Sequence, residues 1–221
     1  MKKIIMLSAL IILLASCGRG DKHDLRGVSW GMSKDEVKKT ETAELVNESP
    51  DVLTYRLGGV TKVEIEGSGD SDTGDGVEET PPEVEAINPE YDLVYVFNND
   101  KLSMIVIHLR DKLASPSDYM ELFRERSKII SEQTGVKARG LASYDEGEET
   151  AADPYADPAS ICSGERGLRH FWPELDKRTN LTLELDGKKY TPDPECNISM
   201  FYESVQYPAD PALSEELHDL L

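Results

Sequence analysis

The densest group of potential metal ligands lies in the stretch DSDTGDGVEE, where Asp70, Asp72 and Asp75 are followed by two glutamates. Ca²⁺ takes six to eight oxygen ligands, and carboxylates beside turn-forming glycines can supply several of them. An EF-hand loop needs an acidic residue at its fifth position and glycine at its sixth. Counted from Asp70, those positions hold glycine and then Asp75, one residue out of register. We therefore interpret the stretch as a solvated acidic loop and predict no bound metal and no cofactor.

The four histidines are not spaced for zinc binding, because no two of them are separated by two or four residues. The sequence also lacks the motifs of serine hydrolases, zinc proteases, P-loops and dinucleotide-binding folds. His108 ends a run of β-forming residues and His170 stands beside Phe171 and Trp172, so we interpret both as histidines packed at the edge of a core. We predict a protein without enzymatic activity.

The N-terminus has the pattern of an export signal. Met1-Lys2-Lys3 is followed by the apolar run Ile4–Leu14 and then by two small residues. These 11 residues are too few to cross a bilayer core of roughly 30 Å. The stretch Leu14-Ala15-Ser16-Cys17 resembles the lipobox of bacterial lipoproteins. The resemblance implies that residues 1–16 are a signal peptide and that Cys17 becomes the acylated first residue of the mature chain.

Lipidation at Cys17 implies a location. Several acyl chains give a stable anchor where one gives only marginal, reversible binding. The next residue is Gly18 instead of aspartate, and by resemblance to sorting in enteric bacteria this favours the outer membrane. We predict a protein that faces the periplasm, with residues 17–24 as a tether.

Two cysteines remain once Cys17 is assigned to lipid, namely Cys162 and Cys196. The compartment beyond the inner membrane is oxidising, and an even count allows one intramolecular pairing. The alternative is a pair of free thiols, because the spacing excludes a CxxC redox motif. We predict a structural disulfide.

The net charge of −19 is unevenly distributed along the chain. Residues 67–86 carry seven acidic side chains and residues 141–160 carry six, and neither segment contains a basic one. Segments rich in acids, glycine, serine and proline bury too little apolar surface to offset the entropy of ordering, so we predict two disordered insertions. The acidic balance also argues against a nucleic-acid partner, whose phosphates would repel the chain.

The remaining chain predicts one α+β domain over residues 25–207, followed by a C-terminal tail at 208–221. Strands and helices are segregated instead of alternating, which favours an antiparallel sheet of about five to seven strands. The β-forming runs are residues 52–57, 60–66, 91–97, 101–109, 168–172, 180–185 and 197–205. Gly58-Gly59 predicts a hairpin turn between the first two runs.

Two main helices are predicted, over residues 33–44 and 116–134. Ser33 and Glu36 have the spacing of a capping box, in which each side chain satisfies the other residue's backbone N–H. Ser115 and Pro116 predict the start of the second helix and Gly135 predicts its end.

The stretch Trp30-Gly31-Met32-Ser33, continued by Glu36-Val37, resembles the opening of BamE/SmpA-like bacterial lipoproteins and of a broader set of periplasmic lipoproteins beginning RGVxWGMSxxEV. A late pattern of Trp172, Thr182, Leu183, Leu185 and Tyr202 is similar to the second set. The resemblance implies a small helix-on-sheet domain in the envelope. In the BamE-like proteins it implies a partner-binding accessory role.

These observations predict a lipid-anchored, non-enzymatic envelope protein that binds another envelope protein. Candidate contact residues are the sheet aromatics Trp172, Phe201 and Tyr202, if exposed, and the C-terminal leucines Leu213, Leu217 and Leu220. One alternative is a protein that binds a small molecule or Ca²⁺ through its acidic loops. Another is an enzyme, or an enzyme inhibitor, with an unfamiliar site.

Overall fold

The computed structural model describes residues 25–64, 83–144, 157–175, 177–187, 195–213 and 217. In that part of the chain the helices are α1 (Lys34–Thr40), α2 (Pro116–Thr134) and α3 (Pro158–Cys162), with further helical residues at 211–213 and 217. The strands are β1 (Glu44–Glu48), β2 (Val52–Glu64), β3 (Glu83–Asn98), β4 (Lys101–Leu109), β5 (Arg139–Tyr144), β6 (Arg166–Leu175), β7 (Thr179–Gly187) and β8 (Cys196–Ser204). Cys17, Asp70, Asp72, Asp75 and Leu220 lie outside the described residues.

The strands form one antiparallel sheet in the order β1-β2-β3-β4-β8-β7-β6-β5. The predicted α+β class with an antiparallel sheet is confirmed. The predicted count of about five to seven strands is too low, because the two edge strands β1 and β5 were not expected.

The predicted turn at Gly58-Gly59 is wrong. These glycines lie inside β2, which pairs with β3 on both sides of a bulge between Leu57 and Gly59. Gly58 has a φ of +91°, and a Cβ at this position would lie 2.0 Å from the carbonyl oxygen of Pro89. A bulge and a hairpin turn can both require glycine, so the local sequence does not distinguish them.

Helix α1 begins as predicted and ends early. Ser33 and Glu36 form the capping box, in which the Ser33 backbone N–H donates to Glu36 Oε2 at 2.8 Å. The helix ends at Thr40 instead of residue 44, because Glu41 adopts an extended backbone. Its carboxylate accepts hydrogen bonds from the backbone N–H groups of Thr42 and Ala43, which directs the chain into β1.

Helix α2 has the predicted boundaries. Ser115 caps its start, with Pro116 in the first turn, and Gly135 ends it in the left-handed conformation at φ +70°. Its apolar stripe packs on the sheet through Tyr119, Leu122, Phe123 and Ile130. The prediction of helix 116–134 is confirmed.

The stretch that carries the family resemblance has a structural role. The indole Nε1 of Trp30 donates to Thr179 Oγ1 at 2.9 Å, and the backbone N–H of Gly31 donates to the carbonyl of Leu102 at 3.0 Å. Gly31 has a φ of +83°, and a Cβ there would lie 2.6 Å from the ring of Tyr207. The tryptophan and the glycine therefore join the N-terminal part of the domain to the sheet and to the segment that follows β8.

The sheet has two faces with different covers. On the core face, rows of opposed apolar residues such as Tyr55, Leu93, Ile107, Met200 and Leu183 lie under the helices. The outer face carries a second, smaller apolar cluster beside a row of polar side chains. We use the terms core face and outer face below in this sense.

Cys162 and Cys196 form the predicted disulfide, with their Cα atoms 4.4 Å apart. The bond joins the end of α3 to the start of β8. Both cysteines are buried, which is the setting of a structural disulfide.

The two acidic segments are structured at their described ends, where disorder was expected. Residues 83–86 belong to β3, residues 141–144 to β5 and residues 158–160 to α3. Backbone pairing with β2 and β6 provides hydrogen bonds that composition does not reveal.

Candidate functional site

The three sheet aromatics proposed as contact residues are all buried. Trp172 is 0% exposed, Phe201 4% and Tyr202 5%. Trp172 and Tyr202 belong to the core face, where the indole Nε1 of Trp172 donates to Ser131 Oγ on α2 at 3.1 Å. The expectation of an exposed aromatic surface at these positions is therefore corrected, because core packing has already covered them.

Phe201 differs from the other two because it points to the outer face. There it belongs to an apolar cluster with Val94, Val96, Met104 and Val106 on the neighbouring strands β3 and β4. Leu217 is buried in this cluster, and Ala209 and Leu213 pack against it. Leu213 and Leu217 therefore do contact the sheet, but they do so within their own chain. We call the described residues 208–213 and 217 the tail segment.

The chain turns from the end of β8 to the outer face through a few polar contacts. The backbone N–H of Tyr207 donates to Ser204 Oγ at 3.0 Å, and Asn98 Nδ2 donates to the carbonyl of Pro208 at 2.9 Å. Lys101 Nζ lies 5.2 Å from the centroid of the Tyr207 ring. These contacts fix where the tail segment enters the outer face.

The helical part of the tail segment has a local start signal. Asp210 Oδ1 accepts a hydrogen bond from the backbone N–H of Ala212 at 2.9 Å, as an N-cap residue does. Pro211 follows at the first helical position, where its fixed φ suits a helix and its missing N–H costs nothing. Leu213 and Leu217 are four positions apart in the sequence, and both pack against the apolar cluster.

A row of polar side chains crosses the outer face next to the apolar cluster. Directly opposed residues on neighbouring strands face the same side, and the strand register places seven polar residues in line. From β1 to β6 they are Glu44, Arg56, Asp92, His108, Ser199, Glu184 and Arg169. We call this set the polar row.

The polar row is held by contacts between neighbouring strands. His108 Nδ1 and Ser199 Oγ are 2.9 Å apart, Arg110 Nη1 lies 3.6 Å from Asp92 Oδ1, and Arg169 forms an ion pair with Glu184. Burial raises the pKa of Glu184, and Arg169 opposes that rise. The row therefore forms a charged border along one side of the apolar cluster.

Asp92, His108 and Ser199 have the residue types of a catalytic triad, and the structure brings His108 within hydrogen-bond distance of Ser199. Ser199 is only 6% exposed, however, whereas a nucleophile must be reachable by its substrate. We interpret the pair as a hydrogen bond between strands.

A second serine–histidine pair lies on the core face. Ser127 Oγ on α2 is 2.6 Å from His170 Nδ1, and the ring of Phe123 is 4.8 Å from that of His170. Burial lowers the pKa of His170, which favours the neutral form of the imidazole. Sequence reasoning had placed His170 at the edge of the core, and its contacts are those of a packed residue.

A third buried polar group is centred on Glu41, whose side chain is 1% exposed. Arg26 donates to it twice, at 2.8 and 2.9 Å, and Tyr95 Oη donates at 2.6 Å. Burial acts to raise the pKa of Glu41, but these hydrogen bonds outweigh it and lower the pKa to about 2. The group is a structural ion pair that ties α1 to β3, and nothing in its sequence spacing identified it.

Among the described residues, no cluster of histidine, cysteine and acidic side chains is arranged to hold a metal ion. A cleft of about 340 Å³ beside the disulfide is lined by residues of both charges, including Asp111, Lys112 and Glu195. Lys112 and Glu195 form an ion pair at 2.7 Å. This cleft offers no converging set of one kind of ligand.

No helix in the described ranges is both long and apolar enough to cross a membrane. Comparison of the chain with protein-family models, curated proteins and solved structures found no match.

Proposed function

We propose that this protein is a lipid-anchored, non-enzymatic protein of the bacterial envelope that binds another envelope protein through its outer face. The lipobox-like Leu14-Ala15-Ser16-Cys17 supports the anchor. By resemblance, Gly18 favours the outer membrane and a periplasmic position for the domain. The acidic composition leaves membrane attachment to the acyl chains instead of to basic side chains.

The observation that best supports the binding role is that the tail segment covers an apolar cluster on the outer face. The apolar cluster of Val94, Val96, Met104, Val106 and Phe201 would form a contiguous patch on the surface without the tail segment. Contiguous apolar patches bordered by polar residues mark protein–protein contact sites. Here the border is the polar row, and the cover is the tail segment.

The experiment is site-specific photo-crosslinking in living cells. A photo-reactive amino acid at Lys101, which is exposed at the start of β4 beside the point where the tail segment enters the outer face, reports on proteins that approach this face. The matched control is the same amino acid at Lys128, which is exposed on α2 and lies on the opposite side of the sheet. We expect a reproducible crosslinked protein from position 101 and none from 128. Recovery of no reproducible partner from position 101 would contradict the proposal.

The anchor has its own test. Replacing Cys17 by alanine is expected to abolish labelling of the protein with radioactive fatty acid and to leave the precursor uncut. The Cys162→Ala variant is the control and is expected to label normally. Persistent labelling of the Cys17→Ala protein would remove the first step of the proposal.

A further inference from the structure

We infer that the outer face is a docking site for an amphipathic helix and that the tail segment is its resident occupant, which a partner helix replaces. The inference rests on the proposed function, and it names the kind of partner. The partner is a protein segment that carries apolar side chains four residues apart on one side of a helix, as Leu213 and Leu217 are in this chain.

The face of a sheet can accept a helix but not a strand. Backbone N–H and C=O groups of inner strands are already paired within the sheet, so the face presents side chains only. A segment that lies across it must satisfy its own backbone hydrogen bonds, and a helix does so internally. The tail segment follows this rule, since its residues 211–213 and 217 are helical.

The dimensions of the docking site also fit a short helix. The cluster extends over β3, β4 and β8, three neighbouring strands that together span about 10 Å. Two helical turns rise about 11 Å, enough to place two side chains four residues apart within the cluster. Met104 lies among the receiving residues, and methionine adapts to differently shaped partners because its side chain is unbranched and flexible.

The tail segment is held by fewer groups than the helix on the core face. Leu217 is its buried side chain, Ala209 and Leu213 are partly buried, and Pro208, Asp210, Pro211 and Ala212 are exposed. Helix α2, in contrast, buries seven side chains. Elements with few buried apolar contacts open at low free-energy cost, so the tail segment can leave while the sheet stays folded.

Attachment to the same chain makes the tail segment an effective competitor. A short connection after Ser204 keeps it at an effective concentration on the order of millimolar at the outer face. A free helix of similar affinity must compete with that concentration. The tail segment therefore sets a threshold that only a tighter-binding or locally abundant partner helix exceeds.

The first experiment measures exchange of the helix. The probe is a fluorescein-labelled synthetic peptide of residues 207–221, added to the purified full-length chain and followed by fluorescence anisotropy. Leu217→Asp should release the resident tail segment, because it places a charge in an apolar cluster. We expect this variant to bind the peptide at least tenfold more tightly than the unchanged protein does. A peptide that carries both Leu213→Asp and Leu217→Asp is expected not to bind.

The matched control variant is Val205→Asp. Val205 is 44% exposed and precedes the tail segment, so this change adds the same charge without entering the cluster. It should bind the peptide as weakly as the unchanged protein. A Leu217→Asp protein that retains its near-ultraviolet circular dichroism and still binds no peptide would overturn the inference.

The second experiment needs no variant of the protein and so decides the matter even if Leu217→Asp misfolds. Hydrogen exchange of the unchanged protein is compared with and without excess peptide. We expect faster exchange of the amides of residues 209–217 when the peptide displaces them, and unchanged exchange in α2. Identical exchange in the tail segment at the highest peptide concentration would overturn the inference.

The outcomes separate the inference from the proposed function. If crosslinking from position 101 yields a partner but the peptide binds neither protein, helix docking is wrong and the binding role stands. If the peptide exchanges but no crosslinked partner is recovered, the outer face accepts a helix and the proposed binding role is wrong.

Discussion

The two faces of the sheet are built from the same strands but are covered in different ways. On the core face, α2 buries seven side chains over rows of leucine, isoleucine and aromatic residues. On the outer face, one buried leucine and two partly buried residues of the tail segment cover a smaller cluster. We therefore expect the core face to supply most of the stability, which leaves the outer face available for the proposed binding role.

The two faces also differ in how completely their buried polar side chains are hydrogen-bonded, and again the core face is the better satisfied. On the core face, buried polar side chains have partners, as in the Trp172–Ser131, Tyr95–Glu41 and Ser127–His170 hydrogen bonds. On the outer face, within the described part of the chain, Arg56 Nε is buried without a hydrogen-bond partner, and Asp92 Oδ1 has only its 3.6 Å ion pair with Arg110. Unsatisfied buried groups are costly, so they are more easily tolerated where stability is not the main role.

The largest expected effect is a pair of matched truncations, one on each face. Phe123→Ala removes a fully buried ring of α2 that packs on the core face, and it should lower the free energy of unfolding by about 3–5 kcal/mol. Phe201→Ala removes the same group from the outer face. There the cost should be about 1–2 kcal/mol, because the tail segment can settle into the space or detach. Urea unfolding followed by tryptophan fluorescence measures both, and equal losses would contradict the difference between the faces.

Removal of the disulfide is a second test of how much the elements of the core face contribute to stability. Replacing Cys162 and Cys196 together by serine opens a loop with a sequence separation of 34 residues. In the chain-entropy model the loss of this loop costs about 3–4 kcal/mol, because the unfolded chain gains freedom. Calorimetric melting checks the value. A loss well below 1 kcal/mol would contradict the predicted contribution of the disulfide to stability.

The Glu41 network predicts how stability depends on pH. The folded-state pKa of about 2 lies below the ordinary value of 4.5. A carboxylate with a lowered pKa stabilises the fold above its unfolded-state pKa, and this contribution is lost as the pH falls from about 4.5 towards 2. The difference in pKa corresponds to about 3 kcal/mol. Glu41→Gln should lose this amount at pH 7 and should show a flatter pH dependence in urea unfolding.

The control for this prediction is Glu48→Gln. Glu48 pairs with Lys34 and Lys38 at the protein surface, and its hydrogen bonds to Lys38 and then Lys34 lower its pKa. Solvent screens such a pair, so the control should change stability little at any pH. Equal pH profiles for the two variants would show that Glu41 is not the group responsible.

Local signals in the sequence predicted the elements whose ends are set locally. Helix α2 has its cap at Ser115, its proline at the first turn and its glycine at position 135, so its boundaries could be predicted from a few neighbouring residues. For helix α1 the sequence predicted the first residue but not the last. Its end depends on contacts of Glu41 with Arg26 and Tyr95, which are 15 and 54 residues away.

Non-local pairing explains the elements that were missed. Strand β1, with the sequence ELVNE, is exposed along its whole length and is stabilised by pairing with β2. Gly58 could equally be a turn or a bulge until the partner strand β3 is known.

For the candidate site, the spacing of Leu213 and Leu217 was visible in the sequence. The receiving cluster was not, because it combines residues from β3, β4 and β8 that only the strand order brings together.

The smallest expected effect concerns the protonation of His170, which reports on how dry the core face is. Burial lowers the pKa of this imidazole below its ordinary value of 6.5. The unfolded chain therefore binds a proton at a pH where the folded protein does not, so this contribution to stability is lost as the pH falls below about 6.5. Nuclear magnetic resonance titration of the ring proton should give a lower midpoint in the folded protein than in concentrated urea, with His170→Asn identifying the signal. A midpoint equal to that in urea would mean that water reaches the space between α2 and the sheet. The core face would then be covered by more side chains than the outer face without excluding water better.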